Sequence, residues 1–141
     1  MLRRRVARLT AVEVDGALAT KLAERLEGTN VEVVKADATA LPFEGDRFSA
    51  ATCFTMLHHV PSSSMQEQLL AELCRVLRPG GVLVGTDSIA SPDLRKFHAG
   101  DIYSPLDPET LPPRLQSAGF VEITVEVSAE LPETFRFLAA A

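Results

Sequence analysis

A handful of polar residues stand where a chain of this type could do chemistry. Glu13 and Asp15 follow a strand-like run at residues 9–14, and Asp37 with Ala38 follows a second run at 31–36. A carboxylate just past a strand can accept from both hydroxyls of a ribose diol. An acid after the next strand can accept from an exocyclic amine, while the Ala38 backbone N–H donates to a ring nitrogen; together they would read adenine. A single acid at a strand end can equally be a solvated surface group, so it is the placement at successive strand ends that carries weight. His58 and His59 stand just past a third run, 48–54. Either could act as a general base, or pack and hydrogen-bond at the lip of a site. His98, Asp101 and Tyr103 form a further polar group. A metal held by His58, His59, His98 and Asp101 would need ligand pairs at metal spacing. No pair here has strong metal spacing, so no metal is expected.

The elements that must position these residues alternate. Residues 9–14 read as a strand. Residues 17–27 read as a helix, with Leu18, Leu22 and Leu26 stepping by four along one face. Gly28 is placed to end it in the left-handed conformation. Residues 31–36 form a Val-rich second strand, and "ALPFEGDRF" is a loop broken by Pro42 and Gly45. Residues 48–54 carry hardly a polar side chain, as a strand buried on both faces would. "PSSSM" then opens a helix with a serine cap, whose expected inner face is Met65, Leu69, Leu73, Val76 and Leu77. Pro79, Gly80 and Gly81 stop it, and 82–86 is a fourth strand. Residues 87–107 read as irregular. A short helix follows at 110–118, with Pro112 and Pro113 tolerated in its first turn and Gly119 closing it. Strands at 120–127 and 135–139 end the chain, joined by "SAELPE". In the first of these Val121, Ile123, Val125 and Val127 share one face. Strands alternating with helices and then a hairpin predict an α/β fold, a mostly parallel sheet ending in an antiparallel hairpin. In open sheets of this kind ligands bind beyond the carboxyl ends of the strands, where Glu13, Asp15, Asp37, Thr55 to His59 and Asp87 fall.

Bulk properties narrow the class. The 141 residues suit a single domain, 1–141. Net charge is −5, which argues against a binder of phosphate backbones. The one basic cluster, Arg3, Arg4, Arg5 and Arg8, is either a nucleic-acid or membrane contact or a solvated helix end; no nucleic acid and no membrane are expected as partners. Cys53 and Cys74 have no partner at disulfide-framework or zinc spacing and read as buried small hydrophobes in a reduced, cytoplasmic setting. There is no run of about 18 apolar residues to span a bilayer.

Four stretches resemble one family in order and spacing: "LTAVEVDGALATKLAERL", "VEVVKADATALPFEGDRFSAATCFTMLHHV", "LLAELCRVLRPGGVLVGTD" and "LQSAGFVEITVEV". Together they resemble a class I S-adenosylmethionine-dependent methyltransferase of the small-molecule type, with a Rossmann-like fold, from about residue 6 to the end. The resemblance implies S-adenosylmethionine as cofactor. It puts Glu13, seconded by Asp15, at the ribose, and Asp37 with Ala38 at the adenine. Phe54 and Thr55 would complete the cofactor side, and His58 and His59 would stand at the reacting centre. It also puts substrate-contacting elements around His98. No Asn/Asp-Pro-Pro-Tyr motif follows the third run, where amino-methylating members carry it; "FTMLHHVP" stands there. A small-molecule methyl acceptor is therefore expected.

The chain departs from the family at its start. No glycine precedes Gly16, so the first strand and its G-x-G-x-G turn are missing, and residues 2–7 match only the tail of the first helix. The expectation is an N-terminally truncated domain lacking roughly 25 residues or more, with strand edges left unpaired. The alternative function is a non-catalytic binding or assembly module, in which a homodimer covers the exposed edge. A nicotinamide-dependent Rossmann enzyme would need an early G-x-G-x-x-G, which is absent.

Overall fold

The computed structural model describes residues 2–131 and 133–141. The chain divides into two compact units, one reaching to Pro42 and one from Phe43 to Ala141.

The first unit begins with a 3-10 turn, Leu2–Arg4, in place of the expected helix tail. Asn30 holds it: its amide donates to the Arg3 carbonyl at 2.9 Å and to the Val6 carbonyl at 2.8 Å. Strand β1 (Leu9–Glu13) pairs in parallel with β2 (Val31–Lys35), from Leu9 opposite Val31 to Glu13 opposite Lys35. Helix α1 (Gly16–Leu26) crosses between them. Asp15 caps it, its side chain accepting from the Leu18 N–H at 2.8 Å, and Gly28 ends it at φ 71°. The inner stripe is not the expected row of leucines. Ala19 is the buried residue, Leu22 and Leu26 are half-buried, and Leu18 is 54% exposed. At about 100° per residue, 19, 22 and 26 stay in phase, whereas steps of four drift by about 40° each.

The second unit holds a four-stranded mixed sheet in the order β3-β4-β6-β5. Its strands are β3 (Phe48–Phe54), β4 (Leu77–Ser88), β5 (Val121–Val127) and β6 (Thr134–Ala140). β3 runs parallel to β4, while β4–β6 and β5–β6 are antiparallel, as the closing hairpin requires. β3 is not buried on both faces as expected. Only Cys53 is buried and Phe54 is 51% exposed, because β3 is an edge strand whose partner, among the described residues, is β4 alone. The hairpin's apolar face is likewise only half covered: Ile123 and Val125 are half-buried, Val121 and Val127 exposed.

Helix α2 (Ser63–Val76) is capped by Ser62, which accepts from the Met65 N–H at 3.3 Å. Its buried stripe is Gln66, Leu69, Leu70 and Val76, with Met65 and Leu73 on the margin. The helix ends at Val76, three residues before Pro79. The Pro-Gly-Gly segment belongs instead to the irregular start of β4, where the register jumps from Phe48–Leu77 to Ala50–Val82. Gly80, at φ 74°, donates from its N–H to the Ala141 carbonyl at 2.7 Å and so ties this turn to the end of β6. Within the expected irregular stretch lies one short helix, α3 (Pro92–Phe97), and α4 (Leu111–Ser117) carries its two prolines in the first turn. Phe120, Phe135, Phe137, Leu69, Leu83 and Leu115 are fully buried and form the centre of this unit's core.

Candidate active site

The first unit carries two carboxylates at the carboxyl ends of its parallel strands. Glu13 ends β1, and its backbone carbonyl accepts from the Ala36 N–H at 3.1 Å, which sets it beside the turn that carries Asp37 and Ala38. The Glu13 side chain accepts from the Asp15 N–H at 3.0 Å. Asp37 is held by Thr39, whose N–H and hydroxyl both donate to Oδ1 at 2.8 Å. Those two bonds, the backbone one first, hold the Asp37 carboxyl below the usual carboxylate range. Asp37 is therefore a fixed, ionised acceptor at neutral pH. Asp15, expected beside Glu13 at a ribose, caps α1 with its Oδ1.

The second unit, taken by itself, carries its candidate residues at the end of β3 and in the turn beyond it. Thr55 takes φ 49°, a conformation that costs a non-glycine residue about 1–3 kcal/mol, and its N–H donates to the Thr86 carbonyl at 2.7 Å. This bend ends the strand and leaves the Phe54 ring half exposed. A 3-10 turn, Leu57–His59, comes next. His58 is 3% exposed and shares a 2.5 Å hydrogen bond from Nδ1 to Oδ1 of Asp87, which is fully buried at the end of β4. Asp87 also accepts from the Leu57 N–H at 2.9 Å and the Ser88 N–H at 2.7 Å. A carboxylate with that many donors must itself accept from Nδ1, so the Nε2 of His58 is the nitrogen left for other partners.

His59 lies against His58, ring centroids 4.2 Å apart, and its side chain is 42% exposed. Burial first, then the neighbouring His58 and His98, push its pKa below the ordinary histidine value, against the pull of Asp101 and Asp87. His59 is thus a neutral imidazole with an accessible lone pair at neutral pH. His98, at the end of α3 and 7% exposed, packs against both rings, with centroids 5.1 Å from His58 and 4.9 Å from His59. The loop that carries it is anchored by the Ser104 N–H donating to the His58 carbonyl at 2.8 Å.

Sequence reasoning placed Asp87 only as a residue past a strand and missed its partnership with His58. The available signal was an acid directly behind the apolar run "VLVGT". It also missed Gln66. This buried amide donates to the Leu57 carbonyl at 3.0 Å and the Ser104 carbonyl at 2.8 Å, and accepts from Arg114 at 2.9 Å. It fastens the histidine turn to the loop beyond His98. A polar residue at an inner-stripe position of α2 was its trace in the sequence.

The chain is 47% identical over 58 residues to an uncharacterized chloroplastic methyltransferase of Arabidopsis thaliana, covering 41% of this chain and 16% of that protein. It is 32% identical over 101 residues to a ubiquinone/menaquinone biosynthesis C-methyltransferase of Allorhizobium ampelinum, covering 67% of this chain and 38% of that protein. These matches span well under half of either relative's length. Among solved structures, an S-adenosylmethionine-dependent methyltransferase from Mesorhizobium loti superposes with a TM-score of 0.78 over 96% of this chain and 81% of its own, at 16% identity. The fold is therefore the Rossmann-like fold of class I methyltransferases. Residues 1–85 match the family model described as a methyltransferase domain, and the chain belongs to that S-adenosylmethionine-dependent family.

Proposed function

We propose that this chain transfers a methyl group from S-adenosylmethionine to a small-molecule acceptor, with Glu13 and Asp37 holding the nucleoside and His59 serving the acceptor. The observation that carries the reading is the pair of carboxylates at successive parallel strand ends, one of them kept ionised by Thr39. These residues fit the cofactor. A fixed carboxylate at Asp37 accepts from an exocyclic amine, with the Ala38 N–H beside it as a donor, and Glu13 accepts from a diol. Phe54, half exposed at the end of β3, offers a flat apolar face, and Thr55 is the bend that presents it. The bound cofactor supplies an electrophilic methyl on a sulfonium. The chain's own work is then orientation, which provides much of the rate in an in-line displacement, and removal of a proton where the acceptor carries one. His59 is the base in this reading, because its lone pair is free at neutral pH. His58, fixed by Asp87, positions the ring of His59.

A small organic acceptor suits the net charge of −5 and the quinone-pathway names among the relatives. Two free cysteines support a reducing, cytoplasmic setting. The reading is tested by calorimetric titration with S-adenosylhomocysteine. Asp37→Ala and Glu13→Ala should each weaken binding by about 1.5–3 kcal/mol, the worth of a charge-assisted hydrogen bond. Unchanged affinity in both variants sinks the assignment.

A second reading, a non-catalytic assembly module, has one observation in its favour. β1 and β3 each pair along one edge only among the described residues, and open edges recruit other strands. A strictly monomeric chain in light scattering removes its motive.

A further inference from the structure

His58, His59 and His98 offer three ligand nitrogens that all lie within 4.8 Å of one another. We propose that they form a binding site for a late first-row divalent cation, with zinc the best-matched ion. Spacing along the chain hid this site: two ligands are adjacent in sequence and the third comes some forty residues later, so no short motif announces it. The fold supplies what the spacing lacks.

The geometry is close to what a metal needs. A tetrahedral ion bound at about 2.0–2.1 Å by three imidazoles would hold their ring centroids roughly 5 Å apart. The three centroid distances are 4.2, 4.9 and 5.1 Å. The rings are splayed rather than stacked flat, at 38°, 73° and 69° to one another. The nitrogens would close from within 4.8 Å to about 3.3 Å around such an ion. His59, with its side chain 42% exposed, is the ligand with room to move.

The surroundings fit as well. Histidine ligands characteristically give their other ring nitrogen to a carboxylate, which fixes the tautomer and the ring. His58 does this with Asp87, itself held by the Leu57 and Ser88 amides. On the other side, the Asp101 carboxylate stands 3.9 Å from Nδ1 of His59 and 3.7 Å from Nδ1 of His98, and adds the negative charge that favours a cation. Tyr103 stacks on His98 at 5.5 Å, and its buried hydroxyl has no hydrogen-bond partner. That orphaned group is available to a metal-bound water, the fourth ligand that a three-histidine site leaves open. Imidazoles select zinc, copper, nickel or cobalt over magnesium or calcium.

A cation here takes the lone pair of His59. Metal binding and the base role proposed for His59 therefore exclude each other at any one moment, and zinc is expected to inhibit methyl transfer that depends on that base. The site itself does not rest on the methyltransferase reading, because its test reads metal binding alone.

The test uses the whole chain, stripped with a chelator and titrated with cobalt(II), followed in the visible d–d bands. One cobalt per chain with the intense absorption of a four- or five-coordinate ion, displaced by zinc, is the expected result. Loss of an outer-shell group costs about 10–100-fold in metal affinity, so His59→Ala and His98→Ala should each weaken binding by about a hundredfold or more. Asp101→Asn should cost about tenfold. Far-ultraviolet circular dichroism confirms that each variant is folded, and Glu126→Gln, exposed on β5 and paired with Arg136, serves as the unaffected control. Weak octahedral cobalt spectra in the parent chain, or the same affinity in both histidine variants, overturns the site.

Discussion

Replacing Asp87 with alanine should strongly destabilise the second unit. Asp87 is fully buried and accepts three hydrogen bonds, from the Leu57 N–H, the Ser88 N–H and the His58 ring. Alanine leaves the buried Leu57 amide and the half-buried Ser88 amide without this partner, at about 1–3 kcal/mol each, and strands a buried histidine as well. Removing one member of a buried charge-bearing pair costs about 3–5 kcal/mol by an independent measure. Both routes lead to roughly 4 kcal/mol, a large part of the 5–15 kcal/mol that holds a typical domain together. With a urea dependence of about 2 kcal/mol per molar, the unfolding midpoint should fall by about 2 M. The chain has one tyrosine and no tryptophan. Tyrosine fluorescence therefore reports on Tyr103, which stacks on His98, and tracks the unit that holds Asp87. Asp87→Asn should recover part of the loss: it keeps one acceptor but turns an NH2 group toward a donor. A midpoint shift corresponding to less than about 1 kcal/mol for Asp87→Ala would refute the claim that this carboxylate organises the histidine turn.

Three further outcomes are expected of the same structure. His59, in chelator-treated protein, should titrate below the ordinary histidine value by NMR; as pH falls through about 6.5 the unfolded chain takes up this proton before the folded one does, so stability drops, and His59→Asn should remove that part of the slope, whereas a midpoint at or above 6.5 contradicts the burial account. Gly85→Ala would drive a methyl into the Phe137 ring and to 2.5 Å from the Cys53 carbonyl, so it should cost at least the 1–3 kcal/mol typical of overpacking, read as a lower melting temperature; a neutral substitution would mean that β3 and β4 can separate cheaply. The Cys53 thiol is 3% exposed and pushed up to about 12 by burial, with the Asp87 charge adding to it; it should resist a thiol reagent at pH 8 until the chain is denatured, and rapid native-state labelling of Cys53 would contradict that placement.

What could be read from the chain in advance divides along a physical line. Local signals were strong where a backbone feature demands a residue type. Gly28 at φ 71°, Ser62 as a cap and the prolines in the first turn of α4 all stand where chain chemistry places them. The strand ends were legible too, and with them Glu13, Asp37 and His58, because periodicity shows where a strand stops. Burial was harder, since it depends on partners distant in sequence. Residues 48–54 look like the inside of a sheet, yet β3 is an edge and Phe54 stands half exposed. Gln66 looks like a polar interruption of a helix stripe, yet it is buried and bonded to two loops and to Arg114.

The histidines mark the boundary between these regimes. His58 and His59 could be located because they come just after a strand, but their chemistry could not be assigned from neighbours in sequence. Only the fold returns β4 so that Asp87 meets His58, and only the Ser104–His58 and Gln66–Ser104 bonds hold the loop that brings His98 to both rings. Each of these contacts spans about thirty residues or more. A pair of histidines at a strand end is by itself a weak signal, consistent with a base, a packing group or a ligand. With one ring fixed by a buried carboxylate, one partly open to solvent and one stacked on a tyrosine, the same pair becomes part of a cluster with three distinct environments. The sequence carried the residue types; the differences between them, which decide what each can do, come from burial and from partners that only the folded chain supplies.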